Sequence, residues 1–304
     1  MKLYTAAVYT NNYMPGQKQH NDLTEFEKEI TAKVPNILES YHYVKKQSYI
    51  DEMRNNNAKV FLDSGAFSAF NIGAEINIDE YCDFVKTNSD IIRSEDGDLM
   101  ASVLDGIGDP LKTWQNQTYM EQQGAKPLPC FHYGEDTKYL DWYVKYYSYI
   151  TIGGMVGRSK EQLIIWLDRI FNNHILDNCG NPRLKVHAFG ITSFDIMKRY
   201  PWYSVDSSSW IQSTAFGVIV TPKYGPIQIS EKSPSRKVRG QHFSTFSEIE
   251  QIELNKMLEA QGFTYERLST TYQSRAAYNL YAYGEINKLV LQEKTNTLIQ
   301  PELF

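Results

Sequence analysis

Three aspartates in this chain each end an apolar run and open a turn: Asp63 in VFLDSGAFS, Asp105 in ASVLDGIGDP and Asp206 in WYSVDSSSW. Two carboxylates that flank a sugar carbon are the usual equipment for breaking a glycosidic bond. One attacks C1′ or stabilises the oxocarbenium-like transition state, and the other moves the proton. A third can accept hydrogen bonds from the N1–H and exocyclic amine of a guanine-like base. YITIGGM supplies Gly153 and Gly154, whose missing side chains let backbone approach a flat ring. CFHYGED supplies His132 at the end of another β-rich run. Each aspartate alone has a plainer role as turn former or helix N-cap, and His132 alone has one as a satisfied structural histidine. Together they point to a site.

The elements that would hold such a site alternate in type. Strands are expected at 3–10, 36–44, 59–63, 100–105, 127–133, 149–155, 185–191 and 203–206. Helical patterns fall between many of them, as in NIDEYCDFVKTN, TKYLDWYVKYY, SKEQLIIWLDRIFNNHIL and SFDIMKRYP. In the third of these, Leu163, Trp166, Leu167 and Ile170 recur at helical spacing, and Ser159 with Gln162 has the form of a capping box. Strands alternating with helices imply parallel βαβ units, and eight of them over about 210 residues predict a (β/α)8 TIM barrel. Such a barrel collects the C-terminal strand ends, and so the three aspartates, at one mouth. After Asp206, FGVIVTPKYGPIQIS reads as a β-hairpin, and FSEIEQIELNKMLEAQG and RAAYNLYAYGEINKLVLQEK read as helices. The expectation is one domain over 1–304, with a barrel core at about 1–215 and a C-terminal elaboration at about 216–304.

The composition of the 304 residues, 42% hydrophobic and 22% charged, is that of a globular protein. No apolar run has the length of a membrane span, and MKLYTAAVYTNNYMPG lacks the plan of a signal peptide. Cys82, Cys130 and Cys179 are odd in number and widely separated, which supports neither a disulfide framework nor a cysteine-based zinc site. A reducing, cytoplasmic setting is expected. With a formal net charge of −5, a nucleic-acid partner needs a local basic surface. KSPSRKVRG, with Lys232, Arg236, Lys237 and Arg239, is the candidate; the alternative is a solvated loop.

The motifs resemble those of the tRNA-guanine transglycosylase superfamily. VFLDSGAFS is similar to the DSGGFQ segment of those enzymes and YITIGGMVGRSKEQL to their IGGLxVGE segment. HAFGITSFDIMKRYPWYSVDSSSW follows their G-x-G strand, helix and aspartate-bearing strand. Order and spacing agree from about residue 55 to 210. The resemblance implies Asp206 as the nucleophile that bonds C1′, and Asp63 as the aspartate of proton transfer and base contact. It implies Asp105 as the reader of the Watson–Crick edge, and Gly153, Gly154 and Met155 as backbone that contacts exocyclic groups. Ser64 and Phe67 belong to the same base-binding segment. The reaction implied is base exchange with retention, needing neither metal nor organic cofactor.

Where those tRNA enzymes carry a glutamine in a VQGG segment, this chain has CFHYGED, so His132 replaces an amide. Their CxCxxC…H zinc site has no counterpart here, and the region after the barrel reads as hairpin and helices. DSGAFS, FHYGE and a zinc-free C-terminal part are more similar to the DpdA-type DNA transglycosylases of bacteriophages and bacterial modification clusters. That branch implies guanine-containing DNA and a 7-deazaguanine base such as preQ0 or a derivative as substrates, in the host cytoplasm if the chain is phage-encoded. A basic KSPSRKVRG loop would then touch phosphate, and the target base would be flipped. Trp202, Tyr203 and Trp210 flank Asp206 and suit either base stacking or packing. The alternatives are the same chemistry on tRNA, a TIM-barrel glycoside hydrolase, and a catalytically silent nucleic-acid-binding barrel.

Overall fold

The computed structural model describes residues 1–191 and 193–293. Thr192, inside the seventh expected βα unit, and residues 294–304, the end of the expected elaboration, lie outside the described residues. Two compact units are present, one formed by Met1–Thr10 and Asn36–Ser207, the other by Asn11–Pro35 and Ser208–Leu289.

In the first unit the strands are β1 (Lys2–Ala6), β2 (Ile37–Ser40), β3 (Val60–Asp63), a short ribbon of β4 (Ser94–Glu95) and β5 (Asp98–Leu99), then β6 (Cys130–His132), β7 (Tyr149–Gly153), β8 (Lys185–Ala188) and β9 (Ser204–Ser207). Seven of them form one parallel sheet in the order β3-β2-β1-β9-β8-β7-β6. The first strand therefore lies between the second and the last, as the curl of a βαβ sheet requires. The expected strand over 100–105 is present only as parallel bridges, Leu62 to Ala101 and Ser102 to Leu128. They are backed by hydrogen bonds from Ser102 N to Leu62 O (2.9 Å) and from Leu128 N to Ala101 O (2.7 Å).

The expected strand over 36–44 stops at Ser40. Tyr41–Val44 turns helical instead, because Tyr41 and Val44 are both buried at helical spacing. Tyr41 also packs its ring on Tyr81 and Phe84. The helices that follow begin at built caps. The Asn77 side chain accepts from Asp79 N and Glu80 N ahead of Ile78–Thr87, Asp109 caps Pro110–Gln122, and Asp136 caps Thr137–Tyr146. The expected capping box of Ser159 and Gln162 is present at Lys160–Ile170, whose buried face is Leu163, Trp166, Leu167 and Ile170. That helix continues into one π turn, Phe171–Ile175.

The interior of the sheet is aromatic and aliphatic: Tyr4, Ala6, Leu38, Phe61, Met100, Leu128 and Tyr149 form one buried cluster, joined by Phe189 and Tyr203. Its N-terminal end is held by charge. Glu95 on the ribbon accepts from Lys2 Nζ at 2.6 Å and Arg93 Nε at 2.7 Å, and Asp96 pairs with Lys185. Tyr203 sits with its ring under Lys2 and Lys185 at the charged end. Trp202 is buried and donates its Nε1–H to Ile196 O, so both residues pack and neither offers a stacking platform.

The second unit contains the expected hairpin, β10 (Val218–Thr221) antiparallel to β11 (Gly225–Gln228). The helices Glu248–Ala260 and Tyr272–Glu293 also belong to the expected pattern. Asn279, fully buried, ties these pieces together: its amide donates to Trp210 O, Thr214 Oγ1 and Val218 O and accepts from Val220 N. Trp210 is buried in this unit, edge-on to Tyr13. Glu27, in the helix Glu25–Ala32, accepts two bonds from the Arg267 guanidinium at 2.8 and 2.6 Å. Lys232, Arg236, Lys237 and Arg239 are all exposed on the loop after β11. No described helix is long and apolar enough to cross a membrane.

Candidate active site

Asp63 is the last residue of β3, His132 of β6 and Gly153 of β7, and Asp206 lies one residue before the end of β9. Parallel register sets them side by side, with Ser40 opposite Asp63 and His132 opposite Gly153. They meet at a cavity of about 650 Å³ lined by Asp63, Phe67, Asp105, His132, Gly153, Gly154 and Asp206, together with Arg158 and Phe189. That is the size of a pocket for a small organic ligand. Two residues expected with them do not line it. Ser64 is fully buried, and its N–H donates to Ser102 Oγ in the turn beneath Asp63. Met155 is 2% exposed and packs inward.

Asp63 is gripped from two sides. Its Oδ2 accepts from Gly65 N at 2.9 Å and its Oδ1 from Ser102 Oγ at 3.2 Å. Burial, with the charge of Asp105 and then of Asp206, raises its pKa to about 7, the two hydrogen bonds opposing part of the rise. The grip depends on Gly65, which has φ +76°, and whose missing Cβ would run into Ser40 Oγ and His42 Cβ. Gly65→Ala should therefore destabilise the protein by about 2–4 kcal/mol, from the left-handed conformation plus overpacking. Urea unfolding checks this; a change below about 0.5 kcal/mol would show that the turn can rearrange.

Asp206 lines the same cavity from β9. Its Oδ1 accepts from Gly190 N at 2.9 Å and is 3.3 Å from His187 Nε2. His187 is fully buried, and its Nδ1 is 2.7 Å from Ser204 Oγ, itself 2.8 Å from Tyr149 OH. Burial lowers the His187 pKa, with Asp206 offsetting part of the effect, so the imidazole beside Asp206 is neutral at pH 7. His187 was not among the residues the sequence singled out. Its one signal is alternation in KVHAFGI, which puts Lys185, His187 and Phe189 on one face of the strand.

His132 is the third centre. Glu135 holds it twice, with Oε2 accepting the backbone N–H at 3.0 Å and Oε1 2.9 Å from Nδ1. Its Nε2 is 3.3 Å from Asp105 Oδ2 and 3.4 Å from Cys130 Sγ. Burial disfavours the imidazolium, but Cys130 and Asp105 outweigh it and raise the His132 pKa. Burial and then Asp105 push the Cys130 thiol up to about 11. Asp105 Oδ1 is buried without a hydrogen-bond partner. Asp105, Cys130 and His132 offer donor atoms that all lie within 4.8 Å of one another.

No protein-family model matches this chain, and no curated protein matches it. What the site can do rests on its own chemistry. It sets one carboxylate beside a neutral histidine, one that titrates near neutrality and one with a spare buried acceptor, around a glycine-floored cavity with a single arginine, Arg158, among its described lining residues. Arg158 lies with its guanidinium 4.7 Å over the Tyr133 ring.

Proposed function

We propose that this protein is a transglycosylase that exchanges guanine in DNA for a 7-deazaguanine base through a covalent aspartyl–nucleotide intermediate. Its sheet would be a (β/α)8 barrel closed through the segment 100–103. The observation that carries the reading is the convergence of Asp63, Asp105 and Asp206 with Gly153 and Gly154 on one cavity.

In this reading Asp206 attacks C1′ as the C1′–N9 bond breaks, and the departing guanine takes a proton from Asp63. The incoming 7-deazaguanine occupies the same space. Its N9–H proton passes to Asp63, N9 attacks C1′, and the Asp206 carboxylate is released. Two inversions give retention. A pKa of about 7 lets Asp63 hold the proton in the first half and receive it in the second near neutral pH. Asp105, which lines the cavity, supplies the acceptor for the Watson–Crick edge. Arg158 and the exposed cations Lys232, Arg236, Lys237 and Arg239 offer charge to phosphate.

The test is incorporation of radiolabelled guanine by the purified protein into guanine-containing DNA and, in parallel, into unmodified tRNA. Label in DNA alone is the expected result. Label in tRNA alone moves the activity to RNA, and label in neither, with a 7-deazaguanine chase also inert, overturns the reading.

A further inference from the structure

The atoms around His132 carry a second arrangement that base exchange does not require. Glu135 Oε1, 2.9 Å from Nδ1, accepts the ring proton there, which leaves Nε2 as the ring's ligand atom once its own proton is displaced. Nε2 faces a carboxylate oxygen, Asp105 Oδ2, at 3.3 Å and a sulfur, Cys130 Sγ, at 3.4 Å. A nitrogen and a carboxylate oxygen so close hold a proton or a cation between them, and the sulfur beside the same nitrogen gives a cation a third ligand. The two distances to Nε2 fit one. Metal–ligand bonds of about 2.0–2.3 Å at tetrahedral angles put nitrogen and sulfur about 3.6 Å apart, and nitrogen and oxygen about 3.3 Å apart.

We propose that Asp105, Cys130 and His132 form a transition-metal site, best matched to zinc, with Glu135 as the outer carboxylate that orients the imidazole. Thiolate and imidazole select a borderline-soft ion over magnesium or calcium, and a carboxylate on the distal ring nitrogen is the usual support of a metal-bound histidine. Binding converts the aquo ion to a three-ligand site by releasing waters, the Cys130 thiol proton and the His132 Nε2 proton to solvent. Gly153 is part of the design, because a Cβ there would stand 3.0 Å from His132 Cδ2 and 3.3 Å from Cys130 Sγ. Asp105 and His132 line the cavity, so the fourth position opens where a ligand would bind, as in catalytic and not structural zinc sites. Spacing along the chain hides this set: Cys130 and His132 alternate on one strand, and Asp105 comes from another segment.

This inference goes beyond the base-exchange reading and needs no nucleic acid to test. Chelator-treated protein is titrated with cobalt(II) under anaerobic conditions. The expected result is one equivalent bound, with a thiolate-to-cobalt charge-transfer band and the intense visible bands of a tetrahedral ion, both abolished by added zinc. Cys130→Ser should lose the charge-transfer band, Cys82→Ser and Cys179→Ser should keep it, and Glu135→Gln should weaken binding about 10- to 100-fold. Circular dichroism of each variant separates loss of a ligand from loss of fold. A spectrum of aquo cobalt only, or a charge-transfer band that survives in Cys130→Ser, would overturn the site and leave a hydrogen-bonded cluster. Label incorporation without metal binding would sink this proposal alone, and metal binding without incorporation would sink the transglycosylase alone.

Discussion

Asp206→Asn should cut base exchange by at least about a thousandfold while leaving the protein folded. The size follows from the role: the carboxylate forms the bond that stores the sugar between two bases, and an amide oxygen cannot replace it as nucleophile and leaving group. The fold should survive because the substituted amide keeps an oxygen for the Gly190 N–H, which Asp206 Oδ1 accepts at 2.9 Å. The neutral His187 behind it, anchored through Ser204 and Tyr149, loses no ion pair it depends on. Denaturing gels of protein mixed with DNA give a direct reading. Wild type should yield a covalent protein–DNA adduct when the incoming base is withheld, and the variant none. An adduct of undiminished yield would transfer the nucleophile's role to Asp63 or Asp105.

Much of this site was readable because parallel strands buried on both faces announce themselves as apolar runs, and three carboxylates that each end such a run are brought to one end of the sheet. Asp63, Asp105, His132, Gly153 and Asp206 therefore reached the cavity wall as expected. Motif membership was a poorer guide. Ser64 and Met155 sit beside lining residues in sequence, yet the side chains of both are buried, that of Ser64 in the turn after β3. The aromatics near Asp206 were ambiguous for the same reason: Trp202 and Trp210 are as apolar as a stacking platform but belong to the core. Overrun of the second strand had a local cause, since β-favouring aromatics in SYHYV also carry a helical i, i+3 pair, Tyr41 and Val44. What no single segment could disclose was pairing between distant ones. The grouping of Asn11–Pro35 with Ser208–Leu289, the seating of His187 against Asp206 and the meeting of Asp105 with Cys130 are all products of tertiary structure.

Asp63→Asn should show a stability gain over wild type that grows with pH. In the unfolded chain this carboxyl titrates near its ordinary value of 3.8, and in the folded protein near 7. Between those values the folded state holds the extra proton, so the Asp63 contribution to wild-type stability falls as pH rises through the window and is level above it. The amide of the variant has no such dependence. A shift of this size corresponds to about 4 kcal/mol at full effect, and partial solvent access to the carboxylate reduces the expected change to about 2 kcal/mol between pH 4 and pH 8. Loss of one acceptor, for Gly65 N or Ser102 Oγ, adds an offset that is the same at every pH, so the change in the difference is the quantity to read. Urea unfolding of both proteins at pH 4, 6 and 8 measures it, and a constant difference would show that Asp63 ionises freely. The same substitution should slow exchange about 100- to 10,000-fold, the usual range for removing a general acid–base group. Stability and activity moving in opposite directions at pH 8 would identify a carboxylate kept in an unfavourable environment because its proton is needed there.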